Sequence, residues 1–197
     1  WGLGVAAGRG VLRSLRLALL GRFDGMIAYS SLGAQQFREL GFASSRVFVA
    51  YNAVSPRPAP LAARPERPEH RRRILFVGRL ERRKRVDLLV RACAAVRPLP
   101  EVWIVGDGPS RRELEDLARD LLPGARFLGA RFGTELEEVF QQVDVFVLPG
   151  TGGLAVQEAM AHGIPVIVAA GDGTQNDLVA EDNGWLVPPD DLGALAN

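Results

Sequence analysis

From Ile74 to Val187 the sequence alternates short, continuously apolar runs with longer amphipathic runs. Apolar runs of this kind are typical of strands buried on both faces, and the amphipathic runs have the spacing of helices. The alternation therefore predicts an α/β fold with a helix-covered parallel sheet, whose ligands bind at the carboxyl ends of the strands. The predicted strands lie at 74–77, 102–105, 126–128, 143–148, 166–169 and 184–187, and the predicted helices at 85–96, 111–121, 135–141 and 154–162.

A proline-rich segment marks the expected domain boundary. Residues 54–72 contain five prolines among Arg, Ala and Glu, a composition that disfavours helices and central strands. We therefore predict a first domain piece at 1–53, a linker at 54–72 and an α/β domain at 73–197. Within the first piece we expect a basic amphipathic helix at 11–23, strands at 25–30 and 46–51, and a helix at 32–40. The chain starts without Met and ends in an apparent first helical turn, so we expect a fragment.

Charge is unevenly distributed along the chain. The formal net charge is +1, but residues 1–85 carry 17 of the 24 basic and 5 of the 23 acidic residues. The basic part suggests a phosphate-bearing ligand or an anionic membrane, and the acidic remainder argues against nucleic acid wrapped by the whole chain. The single cysteine, Cys93, cannot form an internal disulfide, so we expect a cytoplasmic protein. Whether the basic helix at 11–23 contacts the inner face of the plasma membrane, is an ordinary surface helix or lines the cleft stays open.

The segment 144–168 predicts a phosphate site. It has the pattern of a buried strand, a glycine-rich turn, a helix, a turn and a second strand. The unpaired N–H groups and the dipole of a helix N-terminus favour an anion, and Gly152 and Gly153 let a ligand approach the backbone. Glu158 stands one turn into the apolar helix, where its carboxylate can accept hydrogen bonds from two vicinal ribose hydroxyls. The alternative is that Glu158 faces solvent.

A second candidate site follows the predicted strand at 74–77. Its loop holds Gly78, Arg79 and Lys84, and Lys84 is the only lysine among the 24 basic residues. One lysine retained among arginines indicates a need for a compact ammonium rather than a planar guanidinium. Two cations at the carboxyl edge of a sheet can clamp a diphosphate. A solvated basic loop is the alternative.

The stretch Val105-Gly-Asp-Gly-Pro-Ser110 superficially matches a dinucleotide-binding fingerprint. However, Arg111 stands at the position of the third glycine, and no acid at a strand end follows about twenty residues later. Ser110 and Glu113 also fit a helix N-cap and its capping box. These departures argue against a nicotinamide site and leave a structural turn as the alternative.

Five motifs occur in a characteristic order from Ile74 onward. They are Gly78-Arg-Leu80 with Lys84, Ile104-Val-Gly-Asp-Gly-Pro109, Phe127-Leu-Gly129, Asp144-Val-Phe-Val-Leu-Pro149 leading to Glu158-Ala-Met-Ala-His-Gly-Ile-Pro-Val166, and Asn183-Gly-Trp-Leu-Val-Pro-Pro-Asp190. Together they resemble the signatures of family 4 glycosyltransferases, among the glycosyl transferases group 1. The resemblance implies a glycosyltransferase B fold, in which two Rossmann-like domains face each other across a cleft. Residues 1–53 then look like the end of the N-terminal acceptor-side domain, most of which is missing.

The resemblance also implies roles for particular residues. Arg79 and Lys84 would neutralise the donor pyrophosphate and the leaving nucleoside diphosphate, whose charge grows in the transition state. Glu158 matches the second carboxylate of the family's Glu-x7-Glu pattern and would bind ribose. The other implied donor-binding residues are Gly78, Phe127 and Leu128, whose main chain near 127–128 would read the base, then Gly150, Thr151 and Gly152, and finally Gly153, Leu154 and Ala155, whose backbone would donate to the phosphates. No metal ion and no cofactor is implied, and transfer would retain the anomeric configuration.

The chain departs from the family pattern at Gly150. Eight residues before Glu158 the relatives have an acid that contacts the donor sugar, and their Glu-Gly-Phe-Gly is here Gly150-Thr-Gly-Gly153. Thr151 or a water could substitute, although a hydroxyl is a weaker acceptor than a carboxylate. The sequence therefore defines the nucleotide half of the site and leaves the sugar half open.

We predict a glycosyltransferase of the hexosyl type, moving a sugar from a nucleoside-diphosphate sugar to a glycan or lipid-linked acceptor of the cell envelope. The chain alone is expected to be inactive. Two alternatives stay open. A sugar-nucleotide 2-epimerase would share the architecture, but the carboxylates and histidines such isomerases use in the cleft are not seen. In a non-catalytic nucleotide-sugar-binding protein, the glycine at 150 would accompany loss of transfer.

Overall fold

The computed structural model describes residues 11–54, 71–171 and 173–196, with the side chains of residues 11–13, 15 and 16 left out. The predicted linker at 54–72 lies outside these ranges except at its two ends. The domain boundaries therefore stay a prediction. Within the described ranges, every helix is too short or too polar to cross a bilayer.

The N-terminal part is a small α/β layer. Helix α1 (Val11–Leu20) precedes strand β1 (Met26–Ala28), and helix α2 (Ser31–Glu39) leads to strand β2 (Val47–Val49). The two strands pair in parallel, and one face of this two-stranded sheet packs on α2. The predicted strands and helices of this part are confirmed. Most ends are shortened by one to three residues because end residues leave the hydrogen-bonded ladder first, and α2 begins one residue earlier than predicted.

The second part is built on a six-stranded, fully parallel sheet. Its strands are β3 (Arg73–Val77), β4 (Glu101–Val105), β5 (Arg126–Gly129), β6 (Val145–Leu148), β7 (Val166–Ala169) and β8 (Gly184–Val187). They stand in the order β5-β4-β3-β6-β7-β8, which confirms the α/β fold with a parallel sheet. The chain moves outward from β3 to β5 and returns to the other side of β3 at β6. The strand order thus reverses between β3 and β6, and such switch points are where open α/β sheets bind ligands.

Six helices connect and flank these strands. They are α3 (Val86–Ala95), α4 (Arg111–Leu121), α5 (Thr134–Phe140), α6 (Ala155–Ala161), α7 (Thr174–Leu178) and α8 (Leu192–Ala196). The four helices predicted between the strands are confirmed, and α8 continues the helical turn expected near the end. Helix α7 was not predicted, because its five mostly polar residues carry no helical apolar period.

The core lies on both faces of the central strands. The successive residues Leu75 and Phe76 are both fully buried, as a helix-covered parallel strand requires. Phe76, Phe140 and Phe146 are the largest fully buried side chains among the described residues, and each stabilises the fold by about 1.5–3 kcal/mol through burial. Cys93 lies in this core on α3, where burial raises the pKa of its thiol to about 12. The side chain therefore acts as a small apolar residue.

The Gly-Asp-Gly turn after β4 packs against the loop after β3. Leu80 N donates to Asp107 O at 2.9 Å, and Ser110 N donates to Leu80 O at 3.0 Å. A Cβ on Gly106 would lie 1.9 Å from the carbonyl oxygen of Gly78, so only glycine allows this approach. The predicted capping box is wrong, because the side chain of Ser110 makes no cap hydrogen bond. The turn therefore has the structural role that the sequence left as an alternative.

Candidate functional site

A cleft of about 900 Å³ lies between the N-terminal part and the carboxyl edge of the main sheet. Its walls come from segments that follow β1, β2, β3, β6 and β7, so the carboxyl ends of five parallel strands converge on it. Polar groups on its two walls are Ser30, Gln36 and Asn52 on one side and Arg83, Lys84, Thr151, Gln157 and Thr174 on the other. Its position at the switch point between β3 and β6 marks it as the candidate ligand site.

Helices α2 and α7 join the two parts at one end of the cleft. The Ser31 N–H, in the first turn of α2, donates to Oδ2 of Asp177 at 2.6 Å. Gly173, with φ of 90°, stands before α7, and a Cβ there would lie 2.5 Å from Cβ of Leu32. The unpredicted helix α7 therefore positions one wall of the cleft against the other.

Lys84 lies on the floor of the cleft against the glycine-rich turn. Its side chain is only 7% exposed, and Nζ donates to the carbonyl oxygen of Thr151 at 2.9 Å and to that of Gly152. A Cβ on Gly153 would lie 3.2 Å from Nζ. Lysine is rarely this buried unless it is paired. The predicted ammonium thus stands at the β6–α6 turn, fixed by two carbonyl groups.

Gly150 is buried where the turn meets the Lys84 loop. Thr151 N donates to Arg83 O at 3.0 Å, which draws the two loops together. A Cβ on Gly150 would lie 2.2 Å from Arg83 O and 2.5 Å from the carbonyl carbon of Lys84. Any side chain at this position would overlap backbone atoms. The carboxylate that the family pattern has at this position therefore has no room in this chain.

Arg79 and Arg83 share one carboxylate, that of Glu81. Nε of Arg79 lies 2.6 Å from Oε1 of Glu81, and Nε of Arg83 lies 2.7 Å from Oε2. The hydrogen bond from Arg83 and the charges of Arg83, Arg79 and Lys84 hold the pKa of Glu81 below its usual value, although partial desolvation opposes them. Arg83 lines the cleft and Arg79 stands outside the lining, although the two side chains are similarly exposed, 62% for Arg83 and 68% for Arg79. The sequence predicts Arg79 and Lys84 as the two cations of the site, whereas in the structure Arg83 and Lys84 line the cleft together.

Glu158 lies one turn into α6 and is not among the described residues that line the cleft, whereas its neighbour Gln157 is. Burial raises the pKa of the Glu158 carboxyl, the charge of Glu137 on α5 adds to this, and His162 opposes it. His162 is buried, stacks on Phe140 at 4.7 Å and places Nδ1 2.8 Å from Glu158 O. Glu158 is therefore partly buried on α6 rather than simply facing solvent.

The other predicted site residues lie along the same edge of the sheet. Thr151, Gly152, Gly153 and Leu154 line the cleft, and Ala155 begins α6. Gly78 follows β3, where its N–H donates to Val105 O at 3.0 Å. Phe127 and Leu128 lie half-buried in the edge strand β5, outside the cleft lining. The predicted residues therefore extend along the sheet edge from β5 through β3 to β6. Of these residues, Lys84 and residues 151–154 come together in the cleft.

Several cleft residues were missed by sequence reasoning. The structure adds Arg83 and Gln157, and from other strand ends Ser30, Asn52 and Thr174. The strands that end near 28 and 49 are not followed by the glycine or charge signals that mark other strand ends, so the sequence pattern does not single them out. Applying the carboxyl-edge rule to every predicted strand would have found them.

Replacing Glu158 with Gln is expected to stabilise the fold at neutral pH. Because the folded-state pKa is raised, ionised Glu158 costs folding free energy above that pKa and costs nothing below the unfolded pKa. The gain from the neutral amide should therefore be largest near neutral pH and vanish as the pH falls to about 4.3, the ordinary range of glutamate. Urea unfolding across this range measures it, with the exposed Glu138→Gln as control. A gain that grew toward acidic pH would contradict the buried position of Glu158.

Comparisons with known proteins agree with this geometry. Residues 71–197 match the family model described as Glycosyl transferases group 1. The chain is similar to the putative colanic acid biosynthesis glycosyltransferase WcaL of Escherichia coli K12, with 31% identity over 90% of the chain and 47% of that protein. It is also similar to the phosphatidyl-myo-inositol mannosyltransferase of Mycolicibacterium smegmatis, with 32% identity over 95% of the chain and 49% of that protein.

A solved structure extends the likeness to the fold of both parts. The sucrose-phosphate synthase of Thermosynechococcus elongatus superposes with a TM-score of 0.76 and 30% identity, over 98% of the chain and 53% of that protein. The chain spans about half the length of the curated relatives it matches. Its two sheets are thus part of a glycosyltransferase B fold, as the sequence predicted. Since the family model covers well over half of its residues, the chain belongs to the group 1 glycosyl transferases.

Proposed function

We propose that the full-length protein transfers a sugar from a nucleoside-diphosphate sugar to an acceptor, and that this chain carries the donor site. The observation that carries the proposal is the position of Lys84. The chain's only lysine is buried at the switch point of the sheet, on a glycine-rich turn that bounds the cleft. Among the described lining residues the charged side chains are those of Arg83 and Lys84, both cationic, so the cleft suits an anionic ligand.

The proposed chemistry follows from where charge develops. When the glycosidic bond breaks, negative charge grows on the departing nucleoside diphosphate, so a cation fixed beside it stabilises the transition state more than the ground state. Lys84 is fixed in advance by two carbonyl groups and needs little reorganisation. The backbone at 153–155 and the carboxylate of Glu158 would bind the phosphates and the ribose. We propose that the loop cations make a metal ion unnecessary, and that transfer proceeds with retention, as in family 4.

The proposed class of acceptor follows from the names of two similar proteins. One is named for colanic acid biosynthesis and another for mannosylation of phosphatidyl-myo-inositol, so both names point to envelope glycans or glycolipids. A cell-envelope glycan or lipid-linked intermediate is therefore the proposed acceptor class. The acceptor would enter from the wall carrying Ser30, Gln36 and Asn52, opposite the Lys84 turn.

A thermal-shift screen of the full-length protein tests the proposal. Nucleoside diphosphates and their sugars should raise the unfolding temperature, because a ligand at 100 times its Kd stabilises the native state by about 2.7 kcal/mol. Nucleosides without phosphate should shift it far less. Release of nucleoside diphosphate that requires an acceptor then indicates transfer, whereas donor conversion without acceptor indicates epimerisation. The absence of a shift with every nucleoside diphosphate would contradict the proposed donor site.

A further inference from the structure

We propose that Arg83 contacts the diphosphate of the donor beside Lys84, and that Glu81 is the positioning residue that holds Arg83 for this contact. The inference rests on the proposed function and adds two residues to it. It starts from the pairing of both Arg79 and Arg83 with Glu81, and from the presence of Arg83, but not Arg79, on the cleft wall.

The pairing with Glu81 uses only the inner nitrogen of each guanidinium. Arg79 and Arg83 each contact Glu81 through Nε, one at each carboxylate oxygen. Among contacts between described residues, the terminal nitrogens of Arg83 have no ion-pair partner. A guanidinium held in this way presents its two terminal nitrogens as a fork, the geometry that binds phosphate oxygens in bidentate fashion.

The backbone also directs Arg83 to the place where a diphosphate would lie. The carbonyl oxygen of Arg83 accepts a hydrogen bond from Thr151 N at 3.0 Å, so its main chain is tied to the glycine-rich turn. The next residue, Lys84, contacts the same turn through Nζ. The two cations therefore start from adjacent positions on one fixed loop, and no Asp or Glu is among the described residues that line the cleft. A doubly or triply charged diphosphate matches them.

Glu81 is needed because the loop is crowded with like charges. Residues 79–84 include four cations and one carboxylate. Arg82 points away, 90% exposed and 3.8 Å from Glu113, but Arg79, Arg83 and Lys84 surround Glu81 and keep it ionised. A free arginine side chain has about 2 kcal/mol of rotamer entropy to lose when it binds. Glu81 restricts Arg83 before the ligand arrives, at the cost of one negative charge near the cleft.

The sign of one substitution separates positioning from long-range electrostatics. Glu81→Gln removes a negative charge near the cleft, so by charge alone an anionic ligand should bind more tightly. If Glu81 positions Arg83, the same substitution should instead weaken binding of a nucleoside diphosphate, by about 3- to 10-fold, because a charge-assisted hydrogen bond is lost. Arg83→Gln should weaken it by about 10-fold or more, and Arg83→Lys, which keeps the charge without the fork, should lie between.

Isothermal titration of the full-length protein measures these effects. The probes are UDP and GDP, with uridine and guanosine as the phosphate-free comparison, and Arg82→Gln is the matched control with an expected change within about twofold. Nucleoside binding and thermal stability should be unchanged in all variants, since a general loss of fold would lower both. The inference would be overturned if Glu81→Gln bound the diphosphate more tightly than the wild type, or if Arg83→Gln bound it as well as Arg82→Gln does. In either case, diphosphate binding by the wild type would still support the proposed function. No diphosphate binding by the wild type would overturn both.

Discussion

Lys84→Met is expected to weaken nucleoside diphosphate binding by roughly 10- to 150-fold and nucleoside binding by less than about threefold. The range follows from the 1.5–3 kcal/mol that a hydrogen bond to a charged group contributes, with about 1.4 kcal/mol per factor of ten. Methionine keeps the apolar stem packed beside the glycine-rich turn and removes only the ammonium. Because the proposed role of the cation is to stabilise charge that grows in the transition state, kcat should fall in addition to donor affinity. Titration with the diphosphate and its nucleoside, and steady-state rates with the donor, measure both.

The control for Lys84→Met must separate ligand binding from folding. Met leaves the carbonyl oxygens of Thr151 and Gly152 without the ammonium donor, which can lower stability by about 1–3 kcal/mol. Unfolding curves of the same variant therefore accompany the titrations. Arg91→Met removes a cation from the exposed face of α3 and should leave both ligands unaffected. Equal losses for diphosphate and nucleoside would show that Lys84 does not contact the phosphates.

The fold was predictable because burial on both faces leaves a direct trace in sequence. Strands such as β3 and β6 are continuous apolar runs, and the amphipathic helices between them fix the parallel arrangement. Helix α7 could not be predicted, because this short polar helix is stabilised by contacts with α2 rather than by an apolar pattern of its own. A short helix held by polar contacts rather than by an apolar face leaves no apolar period in the sequence.

The position of the candidate site was predictable down to the loop, but the orientation of every side chain in that loop was not. A single lysine at a strand end was sufficient to place Lys84, because the carboxyl edge of a parallel sheet is set by topology. Which arginine faces the cleft depends on the local path of the chain. Arg82–Lys84 form a 3-10 turn, and Arg85 then adopts a left-handed conformation with φ of 52°. Such a conformation at a residue other than glycine is uncommon, so sequence pattern could not have assigned Arg83 rather than Arg79 to the cleft.

Gly150 takes part in a contact between two loops that the sequence does not predict. From the motif alone, the residue was a missing carboxylate. In the fold it is the point where the β6–α6 turn meets the loop that carries Lys84, more than sixty residues earlier in the chain. Close approach between two such distant loops has no signature in local sequence. A glycine is therefore also required here because the two loops leave no space for a side chain.

Gly150→Ala is expected to destabilise the protein by about 3 kcal/mol, the upper end for overpacking a filled interior. The added Cβ would lie 2.2 Å from Arg83 O and 2.5 Å from the carbonyl carbon of Lys84. Both are backbone atoms, so relief requires the whole loop to move rather than one side chain to rotate. Gly124→Ala is the matched control, because a Cβ at Gly124 would meet nothing within 4 Å. Its expected effect is within about 0.5 kcal/mol, as for most surface substitutions. Urea unfolding of both variants measures the difference.

The same steric argument predicts that restoring the family's acid will not restore a sugar contact. Gly150→Glu meets the backbone overlap of the alanine variant and also brings a carboxylate next to the carbonyl oxygens of Arg83 and Lys84. Relief by displacing that loop would move Lys84 away from Thr151 O, so diphosphate affinity should fall together with stability. A Gly150→Ala protein as stable as Gly124→Ala would show that the two loops are not in contact, and Gly150 would then be only an absent acid. A destabilised Gly150→Glu variant with weakened diphosphate binding would instead show that the space at Gly150 keeps the Lys84 loop in the position that diphosphate binding needs.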